Sequence, residues 1–122
     1  MAGVTSLAAL RDIAARTALA HRDWTWRDRF GGLTRPDDMD TRHLFYTLRM
    51  IWNHAMPEHM AVGRNIRRYV FGPFYTAEYM REAVLRLGAE LFSRDDLPTW
   101  MLAELDRIRA WLVPRLCQQE PA

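Results

Sequence analysis

The sequence predicts an all-α protein, folded as a compact single-domain bundle of four main helices plus a short connecting helix. Apolar residues recur at helical spacing in four segments of about 14 to 18 residues, and short links separate these segments. The links are rich in Gly, Pro and Asp, and no segment reads convincingly as a strand. With 122 residues, 49% of them hydrophobic, the chain has the size of one domain and can bury a core without disulfide or metal support.

The first two helices each follow a residue suited to capping. Thr5 or Ser6 can cap the first helix, and Asp38 or Asp40 can cap the second. Pro57 either ends the second helix, because proline cannot continue the hydrogen-bond pattern of a helix interior, or starts a new helix in its first turn. The predicted apolar stripes are Leu7, Leu10, Ile13 and Ala14 in the first helix, and Leu44, Leu48, Ile51 and Ala55 in the second.

The connecting helix is predicted around residues 58–69 and is followed by a Gly-Pro turn. Thr76 then caps the third main helix, which has a strong apolar stripe. Pro98 lies in the first turn of the last helix, a favoured position. Pro114 is expected to end that helix, so a short C-terminal tail is predicted from about residue 114.

Residues 21–33, HRDWTWRDRFGGL, have no decisive period. Trp24 and Trp26 alternate as in a strand, whereas Trp26 and Phe30 are four apart as in a helix. Gly31 and Gly32 interrupt whatever structure precedes them. The choice between helix and extended chain therefore stays open.

All 17 basic side chains are arginine, and the formal net charge is +2. Eleven arginines against seven acids give residues 1–68 a formal charge of +4, whereas six against eight give residues 69–122 a charge of −2. We expect the two halves to neutralise each other in the fold, although separate basic and acidic faces remain an alternative.

Cys117 is the only cysteine, which excludes an intramolecular disulfide and fits a reducing compartment. No basic segment followed by an apolar run marks a signal peptide, and no window has the length of a membrane span. We therefore expect a cytoplasmic protein that does not insert into a membrane.

The histidines of the second helix do not form a recognisable site. His43 and His54 share a helical face but lie about 16 Å apart along the axis, too far for one metal ion. His54, Glu58 and His59 are closer, but Pro57 interrupts the helix between them. Neither HEXXH nor CXXC occurs. We expect no metal, no cofactor and no enzymatic activity, while a site completed from distant parts of the chain stays open.

One candidate binding cluster contains Arg64, Arg67, Arg68 and Tyr69. Their spacing would put the three arginines on one helical face, where like charges repel unless an anion compensates them. Arginines beside aromatic rings can grip phosphates and stack on bases. Alternatively, the aromatic residues that follow belong to the core and the arginines meet the acidic C-terminal half.

The second candidate cluster contains Trp24, Trp26 and Arg27. Tryptophan and arginine are the residue types most enriched at the energetic centres of protein interfaces. The two tryptophans could form an exposed lip, or they could plug one end of the bundle, since each buries a large area.

The runs RHLFYTLRMIWNHAMP and YVFGPFYTAEYMREA, within about residues 42–83, resemble small uncharacterised proteins encoded by bacteriophages and prophages. The resemblance implies a short protein that acts inside a bacterial cell on a host protein, and it supplies no catalytic residues.

The sequence as a whole favours a non-enzymatic protein-interaction module, with a phage-encoded modulator or inhibitor of a host defence complex as its specific form. A nucleic-acid-binding module that uses an arginine–aromatic surface is the alternative. A homodimer stays open, because amphipathic helices often pair with a copy of themselves.

Overall fold

A computed structural model describes residues 6–64, 66 and 69–119, and it confirms the prediction of a mostly helical fold. Nearly all regular structure is α-helical, apart from one very short two-stranded sheet and two 3-10 turns. In chain order the elements are α1 (Leu7–Ala20), β1 (Trp26–Arg27), β2 (Leu33–Thr34), a 3-10 turn (Pro36–Asp38), α2 (Thr41–Ala55), a 3-10 turn (Glu58–Met60), α3 (Ala77–Phe92), α4 (Thr99–Glu104) and α5 (Asp106–Gln119).

The first three helices begin at side-chain caps that the sequence predicts. The Ser6 hydroxyl accepts a hydrogen bond from the Ala9 N–H at 3.0 Å. The Asp40 carboxylate accepts from the His43 N–H at 2.7 Å, and the Thr76 hydroxyl accepts from the Tyr79 N–H at 3.1 Å. Each cap satisfies a backbone donor that has no partner within its helix.

The centre of the fold is α3, which packs against α1, α2 and α5. Its interior side chains are fully buried, and Gly88 allows α5 to approach closely, because a Cβ there would lie 2.8 Å from a Leu112 methyl group. The largest fully buried side chains are Trp52, Phe45, Phe92, Leu10, Leu44, Leu48, Ile51, Met80, Leu87, Leu91, Leu105 and Ile108.

The prediction that Pro114 ends the last helix is wrong. The segment forms two helices, α4 and α5, that meet at Leu105, and α5 continues through Pro114 to Gln119. Leu112 and Leu116 are fully buried on either side of the proline. Their burial favours a continuous helix despite the hydrogen bond that proline removes, so no tail begins at residue 114.

The short connecting helix predicted around residues 58–69 is also wrong in its extent: among the described residues of this range, Glu58–Met60 form a 3-10 turn and the others are not helical. The side chain of Asn53 pairs with the backbone of Val62, donating to its carbonyl at 2.9 Å and accepting from its N–H at 2.7 Å. Gly63 follows in the left-handed region at φ 92°. Side chains of α2 thus hold this segment in an irregular path.

Ion pairs between described residues occur both within the two halves of the chain and across them. Arg49 pairs with Glu104 across the halves at 3.2 Å, but Arg35 pairs with Asp37 and Arg94 pairs with Glu90 within their own halves. Within the described ranges, no helix is long and apolar enough to cross a membrane.

Candidate interaction surface

Residues 26–34 form a hairpin, although no convincing strand is predicted from the sequence. Trp26 pairs with Thr34 and Arg27 pairs with Leu33 in an antiparallel register. The chain reverses over three residues, and Gly31 takes the left-handed conformation at φ 83°. This is the geometry of a three-residue hairpin loop with a glycine bulge.

The Asp28 side chain fixes the turn. Its Oδ1 atom accepts hydrogen bonds from the N–H groups of Phe30 and Gly32, both at 2.9 Å. A Cβ on Gly32 would lie 2.7 Å from the other carboxylate oxygen, so the glycine lets the Asp28 carboxylate approach this closely. The loop that carries Phe30 is therefore held by its own hydrogen bonds.

Two tyrosines attach the hairpin to the rest of the protein. The Tyr79 hydroxyl accepts from the Arg27 N–H at 3.0 Å and donates to the Thr25 carbonyl at 3.3 Å. The Tyr75 hydroxyl donates to the Arg27 carbonyl at 2.7 Å. Both polar groups of the Arg27 backbone are thus bound on the side of β1 that faces away from β2.

Aromatic packing adds to these hydrogen bonds. The Trp26 ring stacks on the Tyr79 ring with centroids 5.7 Å apart, and the Tyr75 ring lies 5.5 Å away. Trp24 contacts the Tyr79 ring from a centroid distance of 5.9 Å. Each such ring pair is worth about 0.5–1.5 kcal/mol beyond the area that it buries.

The environment of these tyrosines disfavours their ionised form. Burial raises the pKa of Tyr79 above its usual value, and the hydrogen bond from the Arg27 backbone opposes that rise only in part. Burial also raises the pKa of Tyr75, against an opposing effect of the Arg27 charge. Both hydroxyls therefore keep their protons at neutral pH and can serve as hydrogen-bond donors.

Apolar side chains of the hairpin and of the segment before α3 are exposed, and a cation lies beside two of them. Phe30 is 84% exposed, Leu33 is 66% exposed and Phe74 is 46% exposed. The Arg27 guanidinium lies over the Phe74 ring at 4.5 Å from its centroid, and Arg27 shares the outer face with Leu33 because the two are paired. We name the set Arg27, Phe30, Leu33 and Phe74 the hairpin surface.

Of the predicted second cluster, only Arg27 lies on this surface. Trp26 is 5% exposed, and Trp24 is half-buried against the core. The alternative in which the two tryptophans form an exposed lip is therefore wrong. The Trp26 side chain is too deeply buried to contact a partner directly. Both tryptophans pack instead on the tyrosines next to the core, Trp26 on Tyr75 and Tyr79 and Trp24 on Tyr79.

Of the first candidate cluster, the structure describes Arg64 and Tyr69. Arg67 and Arg68 lie outside the described residues, so their shared face with Arg64 stays a prediction. Arg64 is exposed and non-helical, and Tyr69 is also exposed. Tyr69 and Ile66 line an open cleft of about 470 Å³ together with Tyr46, Thr47, Arg49, Met50 and Asn53.

The histidines do not converge on a cleft. The His54 ring packs edge-on against Phe71 with centroids 4.4 Å apart, and Glu58 and His59 are exposed in the 3-10 turn. No three His, Cys, Asp or Glu side chains come together in a metal-binding arrangement within the described ranges. The side chain of Asn53, next to His54, is hydrogen-bonded to the backbone of Val62.

A further cleft of about 290 Å³ lies between α1 and α3. Two acidic side chains of this cleft have ion-pair partners, since Asp37 Oδ2 lies 3.7 Å from Arg22 and Glu90 lies 3.0 Å from Arg94. The other Asp37 oxygen is buried without a hydrogen-bond partner among the described residues. Nothing in this cleft marks a reacting group.

Sequence reasoning missed Phe30, Leu33 and Phe74. One signal was present: Asp28 followed by two glycines at the third and fourth positions is typical of a three-residue hairpin loop. Such a loop would have marked Phe30 as exposed at its tip.

Comparison with protein-family models, with curated proteins and with solved structures finds no match to this chain.

Proposed function

We propose that this protein is a non-enzymatic protein-interaction module that binds a protein partner through the hairpin surface. The observation that carries the proposal is the exposure of Phe30, 84%, at the tip of a turn that Asp28 fixes. Exposed Leu33 and Phe74 both lie beside the Arg27 side chain, and aromatic residues and arginine are enriched at protein interfaces.

Rigidity of the hairpin favours binding. The turn and the Arg27 backbone are already held by hydrogen bonds, so a partner would not have to order them. A preorganised surface loses less conformational entropy on association, which leaves more of the contact energy for affinity.

The resemblance of residues 42–83 to phage and prophage proteins directs the proposal to a host protein. In this form the chain is a phage-encoded modulator or inhibitor of a host defence complex in the bacterial cytoplasm. Occupying a surface of the host complex would require no catalytic residues.

A pull-down from bacterial lysate at several salt concentrations tests the proposal. We expect a stoichiometric protein partner with the wild-type chain and its loss with the double variant Phe30→Ser, Leu33→Ser. The matched control is Leu19→Ser on α1, because Leu19 is 64% exposed and should retain the partner. Recovery of no stoichiometric protein, or equal recovery by both variants, would contradict the proposal.

Nucleic-acid binding through Arg64, Arg67, Arg68 and Tyr69 is the second candidate. It is supported by the exposure of Tyr69 beside an arginine-rich segment. Its affinity should fall steeply with salt, by a slope of roughly one per phosphate contact. Replacement of the three arginines by Ala should weaken a gel shift without unfolding the protein, and no shift at low salt would remove this candidate.

A further inference from the structure

One face of α2 forms a wall of the open cleft of about 470 Å³ that Tyr69 also lines. Positions 46, 49, 50 and 53 follow helical spacing, so Tyr46, Arg49, Met50 and Asn53 share this face. We name this space the α2 cleft. Its volume falls within the range of about 300–1,000 Å³ that is typical of sites for small molecules.

Contacts from α2, α4 and Gly63 hold the Arg49 side chain at this cleft. Its Nη1 atom donates to the Glu104 carboxylate at 3.2 Å, and its guanidinium lies over the Tyr46 ring, 5.0 Å from the centroid. Gly63 packs directly against it, because a Cβ on this glycine would lie 2.6 Å from Nη1. A cation that is already held in place loses little conformational entropy when it binds an anion.

The charge that lines the α2 cleft is positive. Its described lining residues include the cation of Arg49 and no carboxylate, whereas Asp37 and Glu90 line the cleft between α1 and α3. The ion pair with Glu104 uses Nη1, and no other hydrogen bond of the Arg49 guanidinium occurs among the described residues. Its remaining N–H groups can therefore bind a carboxylate or a phosphate, whose oxygens match the fork of a guanidinium.

The rest of the lining favours an aromatic ligand. Tyr46 is 36% exposed and Tyr69 is 43% exposed, so solvent reaches both side chains. Met50 adds a polarisable apolar surface, which packs well against aromatic rings. Rings also pack favourably on other rings and on guanidinium planes. A ligand that suits this lining combines an aromatic ring with a negative charge.

We propose that the α2 cleft binds a small aromatic anion, with its carboxylate or phosphate on the Arg49 guanidinium and its ring against Met50 and Tyr69. This site goes beyond the proposed function, because none of its residues belongs to the hairpin surface. An aromatic carboxylate and a mononucleotide share the required chemistry, and two arms of the experiment distinguish them.

The first arm titrates the wild-type protein with phenylacetate, phenylacetamide and phenethylamine, which carry the same ring with a negative, a neutral and a positive group. Binding is measured by amide chemical-shift changes. We expect phenylacetate to shift the signals of Tyr46, Met50 and Tyr69 with a Kd in the millimolar range. Phenylacetamide should bind about tenfold more weakly, because it lacks the charge, and phenethylamine should not bind.

The second arm compares AMP with adenosine, which lacks the phosphate. AMP should bind at least about tenfold more tightly than adenosine. Tighter binding of AMP than of phenylacetate would identify a nucleotide as the ligand class, and the reverse order would identify an aromatic carboxylate. The proposal is overturned if neither anion shifts the signals of Tyr46, Met50 and Tyr69, or if the charged and uncharged compounds of both arms bind equally.

Variants test the role of Arg49 with the more tightly bound anion. Glu104→Gln removes the carboxylate that competes for Arg49, so it should tighten binding about threefold to fivefold, a gain that damage to the fold would not produce. Arg49→Gln should weaken binding about tenfold. The matched control is Arg115→Gln, which removes the same charge from an exposed arginine that stacks on Trp111 and should leave binding unchanged. Thermal melts would show that the variants fold. Equal weakening by the two arginine variants, or no gain in Glu104→Gln, would overturn the assignment of the anion to Arg49.

Discussion

The Tyr79 hydroxyl accepts a hydrogen bond at 3.0 Å from the backbone N–H of Arg27, a residue 52 positions earlier in the chain. With the bond from the Tyr75 hydroxyl to the Arg27 carbonyl, it attaches a hairpin of two-residue strands to α3 and the loop before it. An isolated hairpin of this length is at best marginally stable in water. Its position therefore depends on these two tyrosines.

The first prediction concerns these hydroxyls. Tyr79→Phe should lower the free energy of unfolding by about 1–2 kcal/mol, because it removes the partners of the Arg27 N–H and the Thr25 carbonyl. Tyr75→Phe should cost less, about 0.5–1 kcal/mol, since water can reach the exposed Arg27 carbonyl. Urea denaturation measures both effects.

Tyr46→Phe is the matched control for this prediction. Within the described residues, the Tyr46 hydroxyl has no hydrogen bond, and its ring packs against Arg42 and Arg49. The change should therefore be within about 0.5 kcal/mol. An equal loss in all three variants would show that the hydroxyls do not anchor the hairpin.

The second prediction is a loss of stability at alkaline pH. Burial raises the folded-state pKa values of Tyr75 and Tyr79 above 10.0, so the unfolded chain releases these protons first. Their contribution is fully present below about pH 10 and is lost as the pH rises through the folded-state values. The chain has no lysine, and arginine stays charged in this range, so tyrosine ionisation should dominate.

Urea denaturation at several pH values between about 9 and 11 measures this alkaline loss. The double variant Tyr75→Phe, Tyr79→Phe should lose less stability across the range than the wild type, because it lacks the two raised pKa values. Equal losses of stability with rising pH in the wild type and the double variant would contradict the prediction.

The main helices could be predicted because their signals are local. Ser6, Asp40 and Thr76 cap the chain where apolar stripes begin, and these stripes extend over several turns. The hairpin could not be predicted in the same way, since two-residue strands contain no alternation to detect. Its place is set by Tyr75 and Tyr79, which are distant in sequence.

The candidate site was predictable for one residue, Arg27. The tryptophans beside it were plausible interface residues, but whether Trp26 points inward depends on Tyr79, with which its ring stacks. The exposure of Phe74 similarly follows from how the segment before α3 packs. Side-chain direction in short irregular segments is decided by tertiary contacts rather than by periodicity.

The third prediction concerns Asn53, which is buried and pairs with both backbone groups of Val62. Asn53→Ala should lower the free energy of unfolding by about 2–4 kcal/mol, because two buried backbone groups lose their partner. Hydrogen exchange at the Val62 N–H should become faster in the variant. The control is His43→Ala, because His43 is exposed on the same helix, and it should change the free energy of unfolding by no more than about 0.5 kcal/mol. Equal losses in the two variants would show that the pairing of Asn53 with Val62 does not stabilise the fold.

The fourth prediction concerns Pro114, which lies inside α5 and cannot donate a backbone hydrogen bond. Pro114→Ala should raise the free energy of unfolding by about 1–2 kcal/mol: alanine is about 3 kcal/mol more favourable in a helix interior, while the more flexible unfolded chain offsets up to about 1 kcal/mol. Urea denaturation measures the change. Pro98→Ala is the control, because Pro98 has an extended backbone before α4 that suits proline, and it should bring no gain. A loss of stability in Pro114→Ala would show that the backbone at this position favours proline. That result would contradict a helix that continues through residue 114.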